Sequence, residues 1–210
     1  MMSNYIKYPR TPHLPWSLGA TSDDVYLINT DYFIGKEVIV TEKMDGENTT
    51  LYCDHIHARS IDSVHHPSRD WVKRWHSSIA HEIPAQWRIC GENMYAQHSV
   101  IYTQLSSYFY GFSLWDADNR CLSWTETAEW FELLGIHVPP ILYRGIWNEA
   151  LLRSLNIDTK NSEGYVVRLA STFAYHNFAH SVGKWVRPHH VQTDQHWMFT
   201  RIKPNGLAKG

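Results

Sequence analysis

Short groups of polar residues that could carry chemistry lie at the ends of β-prone segments. They are residues 43–48 (KMDGEN), 91–93 (GEN), 163–168 (EGYVVR) and 184–187 (KWVR). A lysine beside a glycine-containing loop can present its amine to a nucleotide phosphate, because glycine lets the backbone approach a ligand closely. Strand-end carboxylates can bind ribose hydroxyls or hydrated Mg²⁺, and a Lys with an Arg can neutralise phosphates. These residue types suit group transfer at a nucleotide α-phosphate.

Lys43 can act as a nucleophile only in its neutral form. With an ordinary pKa of about 10.4, roughly one such amine in 2,500 is neutral at pH 7. The site must therefore lower the pKa of Lys43 through burial or a nearby cation, and a bound Mg²⁺ would supply that cation.

Each group taken alone also fits an ordinary structural role. KMDG is typical of a surface turn, and GEN followed by the aromatic run YFYGF (108–112) is typical of a β-hairpin with an aromatic core face. Charges that alternate with Val and Trp are typical of a half-exposed strand. The order of the groups along the chain favours the functional interpretation.

In that order, the motifs resemble those of the covalent nucleotidyltransferase superfamily of polynucleotide ligases and mRNA capping enzymes. KMDG is similar to motif I, Arg59 in HARS to the short motif after it, GEN with YFYGF to the motif III region, EGYVVR to motif IV and KWVR to motif V. Asn48 makes the pattern KxxGxN, which resembles the RNA-ligase branch, since DNA ligases and capping enzymes commonly have arginine there.

The resemblance implies that Lys43 attacks the α-phosphorus of ATP, forms lysyl–AMP and releases pyrophosphate. AMP then passes to an RNA 5′-phosphate, and an RNA 3′-hydroxyl displaces it to seal the strand. Glu163 would bind Mg²⁺, with Mn²⁺ as the alternative metal. The other implied roles are Glu42 (adenine, through its backbone), Phe112 (adenine stacking), Arg59 and Glu92 (ribose), Lys184 (α-phosphate, as a catalytic residue), Arg187 (phosphate), and Asp45, Gly46 and Asn48 (the rest of the motif I nucleotide site).

The sequence departs from the family pattern in two places. Motif V usually has two basic residues separated by one, whereas Arg187 follows Lys184 by three, which on a β-strand places the side chains on opposite faces unless a bulge intervenes. The 23 residues after Arg187 are too few for the OB-fold domain of DNA ligases and capping enzymes, or for the helical C-terminal domain of many RNA ligases. We therefore expect an accessory protein to supply RNA clamping.

Composition limits the partners. Lys and Arg total 19 against 21 Asp and Glu, so any RNA contact must be local, with Arg69, Lys73 and Arg74 as candidates. The three cysteines and fourteen histidines show neither a disulfide framework nor a zinc spacing. No segment approaches the ~18 apolar residues that span a bilayer, and no signal peptide is evident. We expect no membrane partner and a cytoplasmic location.

The elements that position the motifs are mostly strands. β-prone runs occur at 36–42, 49–53, 87–93, 107–116, 141–145, 163–170 and 182–188. Helices are predicted at 67–83 with Ser68 as N-cap, after Ser123 with a capping box to Glu126 and a stop at Gly135, and around 148–155. Strands that outnumber helices without strict alternation predict an α+β fold with mainly antiparallel sheets flanked by helices.

The resemblance makes this fold the nucleotidyltransferase (adenylylation) domain of ligases, which is ATP-grasp-like. We expect an irregular arm at 1–35 packed on the domain, the domain itself at 36–200 and a frayed tail at 201–210, without a separate OB or C-terminal helical domain. The expected function is ATP-dependent RNA ligation. The alternatives are a nucleotidyltransferase with another acceptor, either a DNA ligase or a capping-type guanylyltransferase, and a catalytically inactive nucleotide- or RNA-binding module.

Overall fold

A computed structural model describes residues 5–19, 24–188 and 202–209 of the protein. The strands in these residues are β1 (Glu37–Glu42), β2 (Glu47–Leu51), β3 (Ile56–Ala58), β4 (Arg88–Asn93), β5 (Phe109–Trp115), β6 (Arg120–Cys121), β7 (Ile141–Ile146), β8 (Gly164–Leu169), β9 (Phe173–Ala174) and β10 (Val182–Val186). The α-helices are α1 (Asp70–Ile79), α2 (Trp124–Leu133) and α3 (Glu149–Arg153), and 3-10 turns occur at Asp31–Phe33, Pro67–Arg69, Ala80–Glu82 and Tyr175–His180.

The strands form two antiparallel sheets. The four-stranded sheet has the order β10-β8-β1-β7, and the six-stranded sheet has the order β3-β2-β4-β5-β6-β9. The ladders that join these strands are antiparallel. The predicted α+β class with mainly antiparallel sheets is confirmed.

One hydrophobic core joins the two sheets. Val40 of β1 and Val167 of β8 lie in the same cluster as Cys90 of β4 and Trp115 of β5, and all four are fully buried. A second cluster packs α1 and α2 on the six-stranded sheet. Complete burial of a large apolar side chain contributes about 1.5–3 kcal/mol, so these contacts hold the sheets in a fixed relation.

The predicted helix at 67–83 begins differently from expectation. Pro67 opens a 3-10 turn, the side chain of His66 accepts a hydrogen bond from the Ser68 amide at 3.3 Å, and α1 starts only at Asp70. The prediction of Ser68 as N-cap is therefore wrong, because proline suits a first-turn position and makes the preceding residue the cap.

The predicted features of the helix after Ser123 agree with α2. Ser123 and Glu126 form both hydrogen bonds of the capping box, which confirms that prediction. Gly135 follows the helix with φ +65°, the left-handed conformation that ends many helices.

The N-terminal arm lies along β10. The Leu14 amide donates to the Lys184 carbonyl at 2.8 Å, the Lys184 amide donates to the Pro12 carbonyl at 2.9 Å, and Ser17 Oγ accepts from the Val186 amide at 2.9 Å. These bonds cover backbone groups that an edge strand would otherwise leave unpaired.

Residues 202–209 are not frayed, which corrects the expectation for this part of the tail. Asn205 is buried and pairs with backbone groups of the 94–108 segment. A Pro-Asn-Gly sequence is typical of an exposed turn, but here the amide side chain satisfies buried backbone groups. Residues 1–4 and 20–23 of the predicted arm, 189–200 of the predicted domain, and 201 and 210 of the predicted tail lie outside the described residues, and the domain boundaries stay predictions.

None of the helices in the described part of the chain has the length and apolar composition that crossing a bilayer requires.

Candidate active site

A cavity of about 760 Å³ is lined by residues of both sheets. Its volume lies within the range of small-molecule and cofactor sites, about 300–1,000 Å³. Nearly all of the predicted site residues line it: Glu42, Lys43, Asp45, Gly46, Asn48, Arg59, Glu92, Phe112, Glu163 and Lys184. Predicted site residues as far apart in sequence as Glu42 and Lys184 are thus brought to one cavity.

Lys43 and Glu163 form an ion pair in the wall of the cavity. Lys43 Nζ donates a hydrogen bond to Glu163 Oε2, and the Glu163 side chain is only 4% exposed. The Lys43 amide donates to the Gly164 carbonyl at 2.9 Å, and the Arg187 amide donates to the Glu163 carbonyl at 3.0 Å. Backbone contacts among β1, β8 and the end of β10 therefore fix both side chains.

The pKa of Lys43 is raised in the protein alone. Burial would lower the pKa of this amine, but the charges of Glu163, Glu92 and Asp45 together outweigh burial. The predicted lowering of the Lys43 pKa is therefore not supplied by the protein's own groups, and reaching the neutral amine requires additional positive charge.

Glu92 lies on β4 opposite Asn48 on β2. Burial, followed by the neighbouring carboxylates Glu163 and Asp45, raises the pKa of Glu92 to about 8, although Lys43 opposes the shift. At pH 7 this carboxyl is mostly protonated, so it can donate a hydrogen bond as well as accept one. The Asn48 Oδ1 atom is buried and has no hydrogen-bond partner among the described residues, so it remains an acceptor for a bound molecule.

The carboxylates around Lys43 fit a hydrated divalent cation. Glu163 and Asp45 both act electrostatically to raise the pKa of Lys43, so negative charge faces this part of the cavity. The described residues contain no group of three or more His, Cys, Asp or Glu arranged to hold a bare metal ion. Hydrated Mg²⁺ needs no such cage, since it usually binds through one or two carboxylates together with substrate phosphates. Glu163 as metal ligand stays a prediction.

Lys184 meets an acidic partner that the sequence did not indicate. Lys184 Nζ lies 3.6 Å from Asp24 Oδ1, and Asp24 comes from the N-terminal arm and also lines the cavity. Burial, followed by repulsion from Lys43, lowers the pKa of Lys184. Asp24 could not be found from the sequence because its position depends on the path of an irregular arm.

Arg187 does not line the cavity, unlike the other predicted residues. Its guanidinium group donates to the Thr159 carbonyl instead. The expected phosphate contact is not supported, because a spacing of three on an extended chain turns Arg187 away from the face that carries Lys184.

Arg168, the last residue of the motif EGYVVR, also lines the cavity, and the motif alone does not indicate its role. It is 5% exposed, and its guanidinium group donates to the Phe112 carbonyl at 3.3 Å and the Leu122 carbonyl at 2.7 Å. It therefore ties β8 to the strand that carries Phe112. An arginine within an otherwise apolar run is a signal that could have identified it.

Arg69 forms an ion pair inside the protein. Its guanidinium group pairs with both carboxylate oxygens of Glu47, and it is 8% exposed. Arg69 therefore anchors the turn before α1 on β2, which argues against the suggested role as an RNA phosphate contact. Lys73 Nζ lies 3.2 Å from His65 Nδ1. Arg74 is exposed.

Gly164 allows the close approach of β8 and β10 beside Glu163. Its φ is +151°, and a Cβ atom would lie 2.0 Å from the Trp185 carbonyl oxygen. We expect Gly164→Ala to lower the free energy of unfolding by about 3 kcal/mol, measured by urea denaturation. The matched control is Gly135→Ala. Gly135 has φ +65°, but an added Cβ would meet no atom within 4 Å, so the free energy of unfolding should fall by only about 1 kcal/mol. Equal losses in the two variants would contradict the steric explanation.

Solved structures of RNA ligases share this fold. The Naegleria gruberi RNA ligase with PPi matches with a TM-score of 0.55 and 20% identity, over 75% of this chain and 51% of that chain. An archaeal ATP-dependent RNA ligase (form 2) matches with a TM-score of 0.59 and 18% identity, over 86% of this chain and 48% of that chain. A mutant of the Naegleria ligase with ATP and Mn matches with a TM-score of 0.50 and 18% identity, over 75% and 51% of the two chains.

The protein thus spans about half the length of these ligases. The likeness confirms the predicted ligase-type nucleotidyltransferase fold. A comparison with curated proteins gave no match. The family model for RNA ligase matches residues 36–186. This range contains all the motifs named above, with KWVR included as far as Val186. The chain therefore belongs to the RNA ligase family.

Proposed function

We propose that the chain is the nucleotidyltransferase part of an ATP-dependent RNA ligase that joins 5′-phosphate and 3′-hydroxyl ends through a lysyl–AMP intermediate. The observation that carries this proposal is Lys43 in the cavity wall, paired with Glu163 and within the electrostatic influence of Glu92 and Lys184. Membership of the RNA ligase family supports RNA as the substrate class. The Naegleria ligase with ATP and Mn supports ATP as the nucleotide and a divalent metal.

The first step forms a bond from Lys43 to AMP. Lys43 releases its extra proton to solvent, and the neutral amine attacks the α-phosphorus of ATP. A nitrogen–phosphorus bond forms, the bond from the α-phosphorus to the bridging oxygen breaks, and pyrophosphate leaves with the electron pair. The nitrogen loses a second proton to solvent, which leaves the neutral phosphoramidate nitrogen of lysyl–AMP. Glu163 would hold Mg²⁺ or Mn²⁺, which would supply positive charge that lowers the pKa of Lys43 and neutralises the phosphates.

The remaining cavity residues hold the nucleotide. Lys184 stabilises the charge that develops at the α-phosphate in the transition state. Glu92 and Arg59 bind the ribose hydroxyls, and Phe112 stacks on the adenine ring. The backbone of Glu42 contacts the adenine edge.

The later steps move AMP to RNA and then seal the strand. An oxygen of the RNA 5′-phosphate attacks the phosphorus of lysyl–AMP, the nitrogen–phosphorus bond breaks, and the Lys43 amine regains a proton. The RNA 3′-hydroxyl then loses its proton to solvent and attacks the RNA 5′-phosphorus. The phosphoanhydride bond to AMP breaks, and AMP leaves with the electron pair.

Incubation with Mg²⁺ and nucleotides radiolabelled on the α-phosphate tests the proposal. We expect ATP to label the protein, GTP to give no label, and pyrophosphate to remove the label. Added nicked RNA should take up the AMP, whereas a DNA nick of the same sequence should take up less. A folded protein that binds ATP without becoming labelled would establish the inactive binding module instead, and labelling by GTP would establish the capping-type reaction.

A further inference from the structure

Residues 202–209 form a strap that binds across the 94–108 segment, which connects β4 to β5. Asn205 is 2% exposed. Its Nδ2 donates to the Met94 carbonyl at 2.8 Å and the Ala96 carbonyl at 3.2 Å, and its Oδ1 accepts from the Tyr102 amide at 3.0 Å. One side chain therefore fastens the 94–108 segment at both of its halves.

The backbone of the strap adds further bonds to the same segment. The Gln97 amide donates to the Lys203 carbonyl at 2.8 Å, the Leu105 amide to the Gly206 carbonyl at 2.9 Å, and the Gly206 amide to the Tyr102 carbonyl at 2.8 Å. The 94–108 segment contains no strand of either sheet. Its conformation therefore depends strongly on these partners, because its backbone groups have no regular ladder to satisfy them.

The fastened segment in turn holds Asp45 of motif I. Ser99 Oγ and the Val100 amide both donate to Asp45 Oδ2 at 2.7 Å, and the Asp45 amide donates to Tyr102 Oη at 3.1 Å. Asp45 is 7% exposed and stands two residues from Lys43. The contacts form a continuous path from Asn205 through Tyr102 to the cavity wall.

We propose that Asn205 is a positioning residue for Asp45, and that the strap sets the geometry of the adenylylation site through the 94–108 segment. This inference rests on the proposed function. Asn205 itself does not line the cavity, so it acts only through the residues that hold Asp45.

The first test is the rate of lysyl–AMP formation by full-length Asn205→Ala. We expect the rate at saturating ATP to fall by about 10–100-fold, because small displacements of a reacting constellation cost rate steeply. The ATP concentration for half-maximal rate should change by less than about threefold, since the adenine and ribose contacts are untouched. Lys209→Ala changes an exposed side chain of the same strap and should keep the wild-type rate. A wild-type rate in Asn205→Ala would overturn the proposal.

A double-mutant cycle separates positioning from general destabilisation. In an Asp45→Ala background, Asn205→Ala should lower the rate by no more than about twofold, because the two changes act through one contact. Ser99→Ala removes one bond to Asp45 without altering the strap, and it should also lower the rate. Full additivity of the Asn205 and Asp45 effects would contradict positioning.

Hydrogen exchange provides a readout that does not need activity. In Asn205→Ala the Val100 amide should exchange at least about tenfold faster, while the amides of β1 and β4 keep their wild-type protection. If the wild type is never labelled by ATP, the proposed function fails but this structural coupling is still tested. Unchanged Val100 exchange would overturn the inference even in an active enzyme, and faster exchange throughout β1 would show global unfolding and likewise refute a local role.

Discussion

Lys43→Ala is expected to abolish covalent labelling by ATP radiolabelled on the α-phosphate. The ε-amine is the proposed nucleophile, and the other lysine that lines the cavity within the described residues, Lys184, is paired with Asp24. Loss of a nucleophile that forms a covalent intermediate removes the reaction path itself, so we expect a decrease of at least about 10⁴-fold. Labelled protein is measured on a denaturing gel after incubation with Mg²⁺.

The matched control for this experiment is Lys43→Arg. Alanine leaves Glu163 buried without its partner, and an uncompensated buried charge also costs stability. Arginine keeps a positive charge beside Glu163, but its guanidinium group stays protonated and cannot act as the nucleophile. A folded Lys43→Arg protein that still becomes labelled would exclude Lys43 as the site of attachment.

Glu163→Gln is expected to lower the rate of adenylylation by about 10²–10³-fold, as loss of a preorganised electrostatic contact at a reacting centre does. The amide keeps the shape of the side chain but removes the charge that contributes most to raising the pKa of Lys43. It also removes the proposed metal ligand. The measurement is single-turnover formation of lysyl–AMP with saturating Mg²⁺ and ATP.

The pH dependence of Glu163→Gln tests the direction in which Glu163 shifts the pKa of Lys43. The neutral amine is the reactive form, so the rate rises as pH increases through the pKa of Lys43. Removing the Glu163 charge lowers this pKa in the metal-free protein, so without Mg²⁺ the acid limb of Lys43 modification by an amine-reactive reagent should move to lower pH. Glu129→Gln, an exposed position on α2, should leave both rate and limb unchanged. A limb that stays in place or moves to higher pH would contradict the electrostatic role of Glu163.

Local patterns were sufficient for the elements that carry the motifs. The β-prone runs that end just before Lys43 and begin at Glu163 became β1 and β8, because short runs rich in β-branched residues are encoded within a few positions. The capping box at Ser123 likewise depends on residues three positions apart. The motif order then indicated that these strand ends meet, and the Lys43–Glu163 pair agrees with that expectation.

Features that depend on distant, irregular segments could not be predicted. Asp24 reaches Lys184 only because the arm follows β10, and no periodic pattern marks that path. Asn205 lies in a Pro-Asn-Gly sequence that is typical of an exposed turn, yet its side chain is buried by a segment about 100 residues earlier. For Arg187, the three-residue spacing on an extended chain predicted that its side chain would point away from that of Lys184.

The cavity is built from two sheets that share a core but no strand ladder. A molecule that contacts Lys43 or Glu163 as well as Glu92 or Phe112 would bridge the two sheets. Its binding free energy is then linked to the unfolding of both sheets, since neither can separate without losing the contacts. Occupancy of the cavity therefore adds to the coupling between the two sheets that their shared core already provides.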